Sequence, residues 1–267
     1  MSATSPGEFV DGLTLAEYTG CMVRRLAALL IGATLFVGCR SEVAPVDVRV
    51  AVAANFAACC SALVERFEAA SPWTVQISSA STGVHCAQIV QGAPYDVFLA
   101  ADAERPERLE DAGLIARGSR FVYAIGRLAL VTRTNEACDE AGLRESLFER
   151  FAIADPALAP YGVAAEEVLD RVGGERSVTA RAKNVLGALH YVRSGNADAG
   201  LVALASVVRD GSPHWPVPPE WHQPIRQEAV MLETAANPEA AESWLKFLRS
   251  VEAAEILRDY GYAVPSG

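Results

Sequence analysis

The chain has 267 residues, 51% of them hydrophobic and 21% charged, with a formal net charge of −10. This length supports one large domain or two smaller lobes with real cores, in an ordinary globular balance. The acidic excess argues against a nucleic-acid partner, which needs a basic face, and means that any bound anion is held by local groups rather than drawn in by long-range steering.

Taken in chain order, the first feature is a targeting segment. Arg24 and Arg25 precede an apolar run from Leu26 to Val37, which ends at Gly38-Cys39. A basic stretch, a short apolar stretch and a small residue make an export signal, and the run is shorter than the ~20 residues of a membrane span. Phe36-Val37-Gly38-Cys39 resembles a lipoprotein cleavage box, with Phe36 where Leu is usual, so lipidation of Cys39 and plain cleavage both stay open. Glu8, Asp11 and Glu17 do not suit a basic signal start, which makes Met22 the expected true start and residues 1–39 the presequence. A periplasmic protein, or one lipid-anchored on the outer face of the cell membrane, is expected.

Val46 to Ala53 alternates and is rich in Val, which predicts a buried strand, and Ala57 to Ala70 predicts a helix. Thr74 to Ala80 is a second strand, followed at Ser81-Thr82-Gly83 by a short helix ending near Gly92. Asp96 to Ala100 is a third strand, and Glu104 to Ala112 is a helix closed by Gly113. Strands alternating with helices predict a parallel α/β sheet. The pattern changes at Phe121 to Ile125 and Leu128 to Arg133, two strands split by Gly126-Arg127. Here the chain is expected to cross into a second lobe. That lobe holds a strand at Phe151 to Ala154, a turn at Pro160-Tyr161-Gly162 leading into a helix to Val172, a helix at Val185 to Ser194 and a strand at Ala199 to Ala205. His214 to Pro224, with four prolines and two tryptophans, reads as a rigid irregular connector. Arg226 to Leu232 is a strand returning to the first lobe, closed by helices at Pro238 to Arg249 and Glu252 to Asp259. The expected division is lobe I at 46–126 plus 224–267 and lobe II at 127–223.

Three strand-to-helix turns share one character: Ala54-Asn55-Phe56, Ser81-Thr82-Gly83 and Pro160-Tyr161-Gly162. Ligands of open α/β sheets sit beyond the carboxyl ends of the strands. There, each helix N-terminus offers free N–H groups and the positive end of its dipole, a site for an oxyanion without a formal cation. Read singly, each turn is better taken as an ordinary helix cap.

A family resemblance adds to this. Val52-Ala53-Ala54-Asn55-Phe56, Ser81-Thr82-Gly83, the run from Gly92 to Asp102, Asp155-Pro156 with Ala159-Pro160-Tyr161-Gly162, Asn184-Val185, the run from Ser194 to Gly200, Pro224-Ile225-Arg226-Gln227 and Tyr260-Gly261-Tyr262 resemble, in register, segments of the molybdate-binding proteins of bacterial ABC transporters. The likeness covers about residues 46–265. It implies a two-lobed periplasmic-binding-protein fold of type II-like form, each lobe a mostly parallel sheet flanked by helices, with the ligand in the interlobe cleft. It implies a receptor for molybdate or tungstate that catalyses nothing, needs no cofactor, has no direct protein-to-metal ligands, works as a monomer and delivers to a membrane permease. It implies a ligand set as well: Asn55 from side chain and backbone, Thr82 from hydroxyl and N–H with Ser81 beside it, and Tyr161 and Val185 from backbone N–H. The sequence departs from relatives at Ala203, where one branch places a Tyr, at Thr82, where Ser is commoner, and at Ala54, which lacks a hydroxyl.

Two other readings stand beside this one. A receptor for another oxyanion such as sulfate, or for an Fe(III)-carrying species, fits the same fold. Iron receptors usually place tyrosine pairs in the cleft, and Tyr161 is the single credible cleft tyrosine. A thiol enzyme or metal carrier would use Cys59, Cys60, His85 and Cys86. Against it, neighbours on a helix point about 100° apart and the spacing fits no zinc pattern; buried free cysteines or one disulfide are the blander expectation. Trp215 and Trp221 are read as packing residues.

Overall fold

The computed structural model describes residues 46–145, 147–173 and 178–265. The presequence, Met22 and Cys39 lie outside the described residues. Among the described residues, ten strands form two five-stranded sheets, and eleven helical segments flank and connect them. The first has the order β2 (Val75–Ala80), β1 (Val48–Ala53), β3 (Val97–Leu99), β10 (Ile225–Met231), β4 (Phe121–Gly126). The second has the order β7 (Val178–Ala182), β6 (Phe151–Ala154), β8 (Ala199–Ala203), β5 (Leu128–Thr132), β9 (His214–Pro216).

The two sheets follow one plan. In each, the fourth strand alone runs against the rest: β10 is antiparallel to β3 and β4, and β5 is antiparallel to β8 and β9. The remaining pairs, β1 with β2 and β3, and β6 with β7 and β8, are parallel. The reversed strand is the one arriving from the other sheet. β4 ends at Gly126 and β5 begins at Leu128, so a single residue makes the first crossing.

The period-two pattern of β1 explains how helices cover both faces. Val48, Val50 and Val52 point to one side, into a core with Leu63, Phe67 and Trp244, while Ala51 points to the other, with Phe98, Ile89 and Cys86. Helix α1 (Ala57–Ala70) lies on the first side and α2 (Thr82–Val90) on the second. Helix α3 (Glu104–Asp111) is closed by Gly113 at φ +70°, a conformation in which glycine has no Cβ penalty. In the second sheet, α5 (Pro160–Val172) and α6 (Val185–Arg193) pack over β6 and β8. Gly162 lets α5 sit close, because a Cβ there would meet the Ala154 carbonyl oxygen at 2.4 Å. Helices α7 (Pro238–Leu248) and α8 (Val251–Asp259) close the first half.

Several elements differ from the sequence expectation. β8 stops at Ala203, because Leu204–Ser206 turns into a 3-10 helix. The expected irregular connector contains β9, which pairs Trp215 with Leu130 of β5. Pro216 is tolerated there because β9 is an edge strand. β7 and the short helix α4 (Glu140–Arg144) were not expected. β7 is an edge strand of alternating burial, and α4 is a five-residue helix with an Asp139 cap, whose carboxylate accepts from the Gly142 N–H at 2.8 Å.

Candidate anion-binding site

The carboxyl ends of β1 and β2 in one half face the start of α5 and α6 in the other. Between them lies a small cavity lined by Ala53, Ala54, Asn55, Ser81, Thr82, Ala101, Ala159, Pro160, Tyr161, Asn184 and Val185. All five residues singled out in the sequence — Asn55, Ser81, Thr82, Tyr161 and Val185 — meet on this one wall set. The space open to the centre of a water-sized sphere is about 10 Å³, room for one small group. A wider hollow of about 220 Å³ adjoins it, sharing Ala101 and Pro160.

Each wall owes its donors to how the chain enters a helix. Thr82 is the first residue of α2, Tyr161 the second of α5 and Val185 the first of α6, so their N–H groups have no carbonyl of their own helix to meet. Asn55 lies in the 3-10 turn Ala54–Phe56, with the same consequence. Side-chain caps serve deeper positions. Ser81 accepts from the Val84 N–H at 3.4 Å, and Asn184 accepts from the Gly187 N–H at 2.9 Å. Helix α5 has no side-chain cap, since Ala159 stands at its N-cap and Pro160 has no N–H to offer. The Tyr161 N–H is therefore left facing the cavity.

The hydroxyl of Thr82 is poised as a donor. Its oxygen accepts from the Ala101 N–H at 3.1 Å, which leaves its proton for another acceptor. The lining carries no Lys, Arg, Asp or Glu, so the field in the cavity is that of helix ends and hydroxyls. Asp102, next in sequence to Ala101, pairs with Arg105 beside the wider hollow. Burial pushes the Asp102 carboxyl above its ordinary range, and Arg105 opposes that shift.

Asn55 is more occupied than expected. Its amide nitrogen donates toward Gln227 Oε1 at 3.0 Å, the Tyr262 hydroxyl at 3.2 Å and the Tyr161 hydroxyl at 3.4 Å. With two hydrogens, that nitrogen serves this set or gives one to an anion, not both. Gln227, Tyr123 and Tyr262 complete a buried polar cluster that sequence reasoning missed as such. Gln227 and Glu228, polar neighbours of the apolar run Ala229-Val230-Met231 in one strand, were the available signal.

The cysteine set does not form a site. Cys59 and Cys60 lie in the core on one face of β1, whereas Cys86 lies in the core on the other, and His85 on the same helix stacks edge-on to Tyr95 and Phe98. Cys59, Cys60, Cys86 and Cys138 are free thiols. Burial raises the Cys59 and Cys86 thiols and pushes Cys60 up to about 12, the opposite of an activated nucleophile. Among the described residues, no group of three or more His, Cys, Asp or Glu side chains is set to hold a metal ion. Trp215 and Trp221 pack edge to face at 5.7 Å, with Arg144 over the Trp221 ring at 4.8 Å.

A comparison with protein families matches residues 48–263 to the bacterial extracellular solute-binding proteins. The chain belongs to that family. Within it, this solute-binding protein is 38% identical over 243 residues to the molybdate-binding protein ModA of Azotobacter vinelandii, covering 88% of this chain and 95% of that protein. It is also 38% identical over 242 residues to ModA of Rhodobacter capsulatus, covering 88% and 96%. Among solved structures, the Azotobacter vinelandii periplasmic molybdate-binding protein superposes with a TM-score of 0.77 at 36% identity, covering 82% of this chain and all of that one. The relatives are transport receptors, not enzymes. The thiol-enzyme reading thus loses on both counts, the placement of its residues and the kinship of the chain.

Proposed function

We propose that this solute-binding protein captures molybdate outside the cytoplasm and hands it to the membrane permease of an ABC transporter, without catalysing a reaction. The observation that carries this reading is the convergence of four unpaired first-turn N–H groups and two hydroxyls, from both halves of the molecule, on a cavity lined by no charged side chain. Such a wall offers donors almost throughout. A tetrahedral dianion without protons supplies acceptors alone and matches it, with the helix dipoles adding favourable field. A protonated phosphate brings a donor into a site of donors and strands a pair, at about 1–3 kcal/mol.

In this reading the ligands are Asn55, Ser81, Thr82, Tyr161 and Val185, and tungstate, of the same shape and charge, binds as molybdate does. The lobes are residues 46–126 with 224–267, and 127–223, closing about the crossing strands. The receptor acts as a monomer, and Cys39 is the candidate for a lipid anchor. A thermal-shift panel tests the ligand class. Molybdate and tungstate should raise the melting temperature strongly, and sulfate and phosphate little. Equal shifts for all four, or none with molybdate, would refute the assignment.

A further inference from the structure

The hydroxyl of Tyr161 reaches into the opposite half of the molecule. Tyr161 sits on α5, which packs on the second sheet, yet its phenol oxygen accepts from Gln227 Nε2 at 3.0 Å, and Gln227 is on β10 of the first sheet. The oxygen rests in the space a side chain would fill at Gly126, where a Cβ would fall 2.2 Å from it. Gln227 is fully buried, and Tyr161 is 2% exposed.

The cluster has one consistent direction of donation. Tyr123 donates to Gln227 Oε1 at 2.9 Å, and Asn55 Nδ2 donates to the same oxygen at 3.0 Å. Rotating the Gln227 amide would set its NH₂ against the Asn55 donor, so Oε1 faces Asn55 and Nε2 is left for Tyr161. Tyr262 donates to the Asn55 carbonyl at 2.9 Å and accepts from its amide. Asn55 and Tyr161, which offer backbone N–H groups to the cavity from opposite halves, are thus joined behind it through side chains.

Two further contacts bridge the halves at the same segment: the Gly83 N–H donates to the Leu158 carbonyl at 3.2 Å, and Arg105 Nη2 to the Ala157 carbonyl at 3.3 Å. Both end on the loop leading into Tyr161. The Tyr161 hydroxyl differs from them in being buried and in bonding directly to the cluster that holds Asn55.

We propose that the Tyr161 hydroxyl, seated on Gln227 in the gap left by Gly126, is a latch between the lobes: a positioning group that aligns the Tyr161 and Asn55 N–H donors and sets how long the closed form lasts. The latch rests on the reading of the cavity as the anion site. It predicts that affinity depends on a hydroxyl that does not touch the anion.

The test is Tyr161→Phe, which keeps the backbone donor and the ring, compared with Tyr95→Phe, whose hydroxyl bonds to Ser78 and Gln88 inside the first half and outside the cluster. Stopped-flow and calorimetric titration with molybdate should show Tyr161→Phe weakened about tenfold, the size of a lost buried hydrogen bond, with the change in the dissociation rate. Tyr95→Phe should leave affinity and compactness unchanged. Gly126→Ala attacks the same contact from the other side and should reproduce the Tyr161→Phe loss. Small-angle scattering without ligand should show Tyr161→Phe more open than the parent. Unchanged affinity and compactness in Tyr161→Phe, or an equal affinity loss in Tyr95→Phe, would overturn the latch. If the parent itself fails to bind molybdate, the anion reading fails, and the scattering comparison alone then decides the latch.

Discussion

Replacing Thr82 with Val removes one hydroxyl and little else, since Val keeps the branch and nearly the volume. Thr82 is buried at 1% exposure, and its oxygen is fixed by the Ala101 N–H at 3.1 Å. That bond uses a lone pair and leaves the proton for another acceptor. A hydrogen bond to a charged acceptor contributes roughly 1.5–3 kcal/mol. At about 1.4 kcal/mol per factor of ten, Thr82→Val should weaken molybdate roughly 10- to 150-fold. The same change strands the Ala101 N–H, so the unliganded protein should also lose stability, by about 1–3 kcal/mol. Thr82→Ser restores the hydroxyl and should recover most of the affinity. Isothermal titration measures the first effect and thermal melting without ligand the second. If Thr82→Val melts earlier yet binds molybdate as the parent does, the hydroxyl serves Ala101 alone and the reasoning about its proton is wrong.

Other perturbations give equally definite outcomes. Asn55→Asp should bind molybdate more weakly than Thr82→Val does, because it sets a carboxylate against a dianion and an acceptor against Gln227 Oε1; calorimetry showing parental affinity would remove Asn55 from the site. His85, at 1% exposure, has its imidazole held below the ordinary range by burial, with a Gln88 contact partly offsetting this. The unfolded chain therefore takes up a proton on this residue first as pH falls below 6.5, so its contribution to stability is full above that value and lost toward the lower folded value. Melting temperatures from pH 7 to 5 should fall less steeply in His85→Gln than in the parent, and identical slopes would refute the assignment. Alkylation of the native protein should label half-buried Cys138 ahead of Cys59, Cys60 and Cys86 and leave molybdate affinity unchanged; early labelling of Cys60, followed by mass spectrometry, would contradict its placement in the core.

The sequence made some parts of this molecule legible and hid others for physical reasons. β1 and α1 announce themselves because their apolar periods are long and unbroken, and the loops at Asn55, Thr82 and Tyr161 carry small and hydroxylated residues in matching places. The type of each wall was legible because a helix start behaves alike wherever it stands. β9 was obscured by prolines that an edge strand accepts. β7 was obscured because an exposed edge needs no strong apolar pattern. The 3-10 turn after β8 was obscured because Ala205 is as apolar as the strand before it. The polar cluster behind the site was the least legible. Asn55 lies 172 residues from Gln227 and 207 from Tyr262 in sequence, and local reading assigns such residues no partner. Gly126 read only as part of the break between two strands; its missing side chain houses the hydroxyl of Tyr161.

The central claim is that a tetrahedral dianion is held between the lobes by neutral donors. The most direct measurement is a crystal structure of the protein with molybdate bound. Its oxygens should lie within hydrogen-bond distance of the N–H groups of Asn55, Thr82, Tyr161 and Val185 and of the Thr82 hydroxyl, with no ammonium or guanidinium against them. An oxyanion seated instead in the wider hollow, in contact with Arg105 or Arg226, would contradict the account.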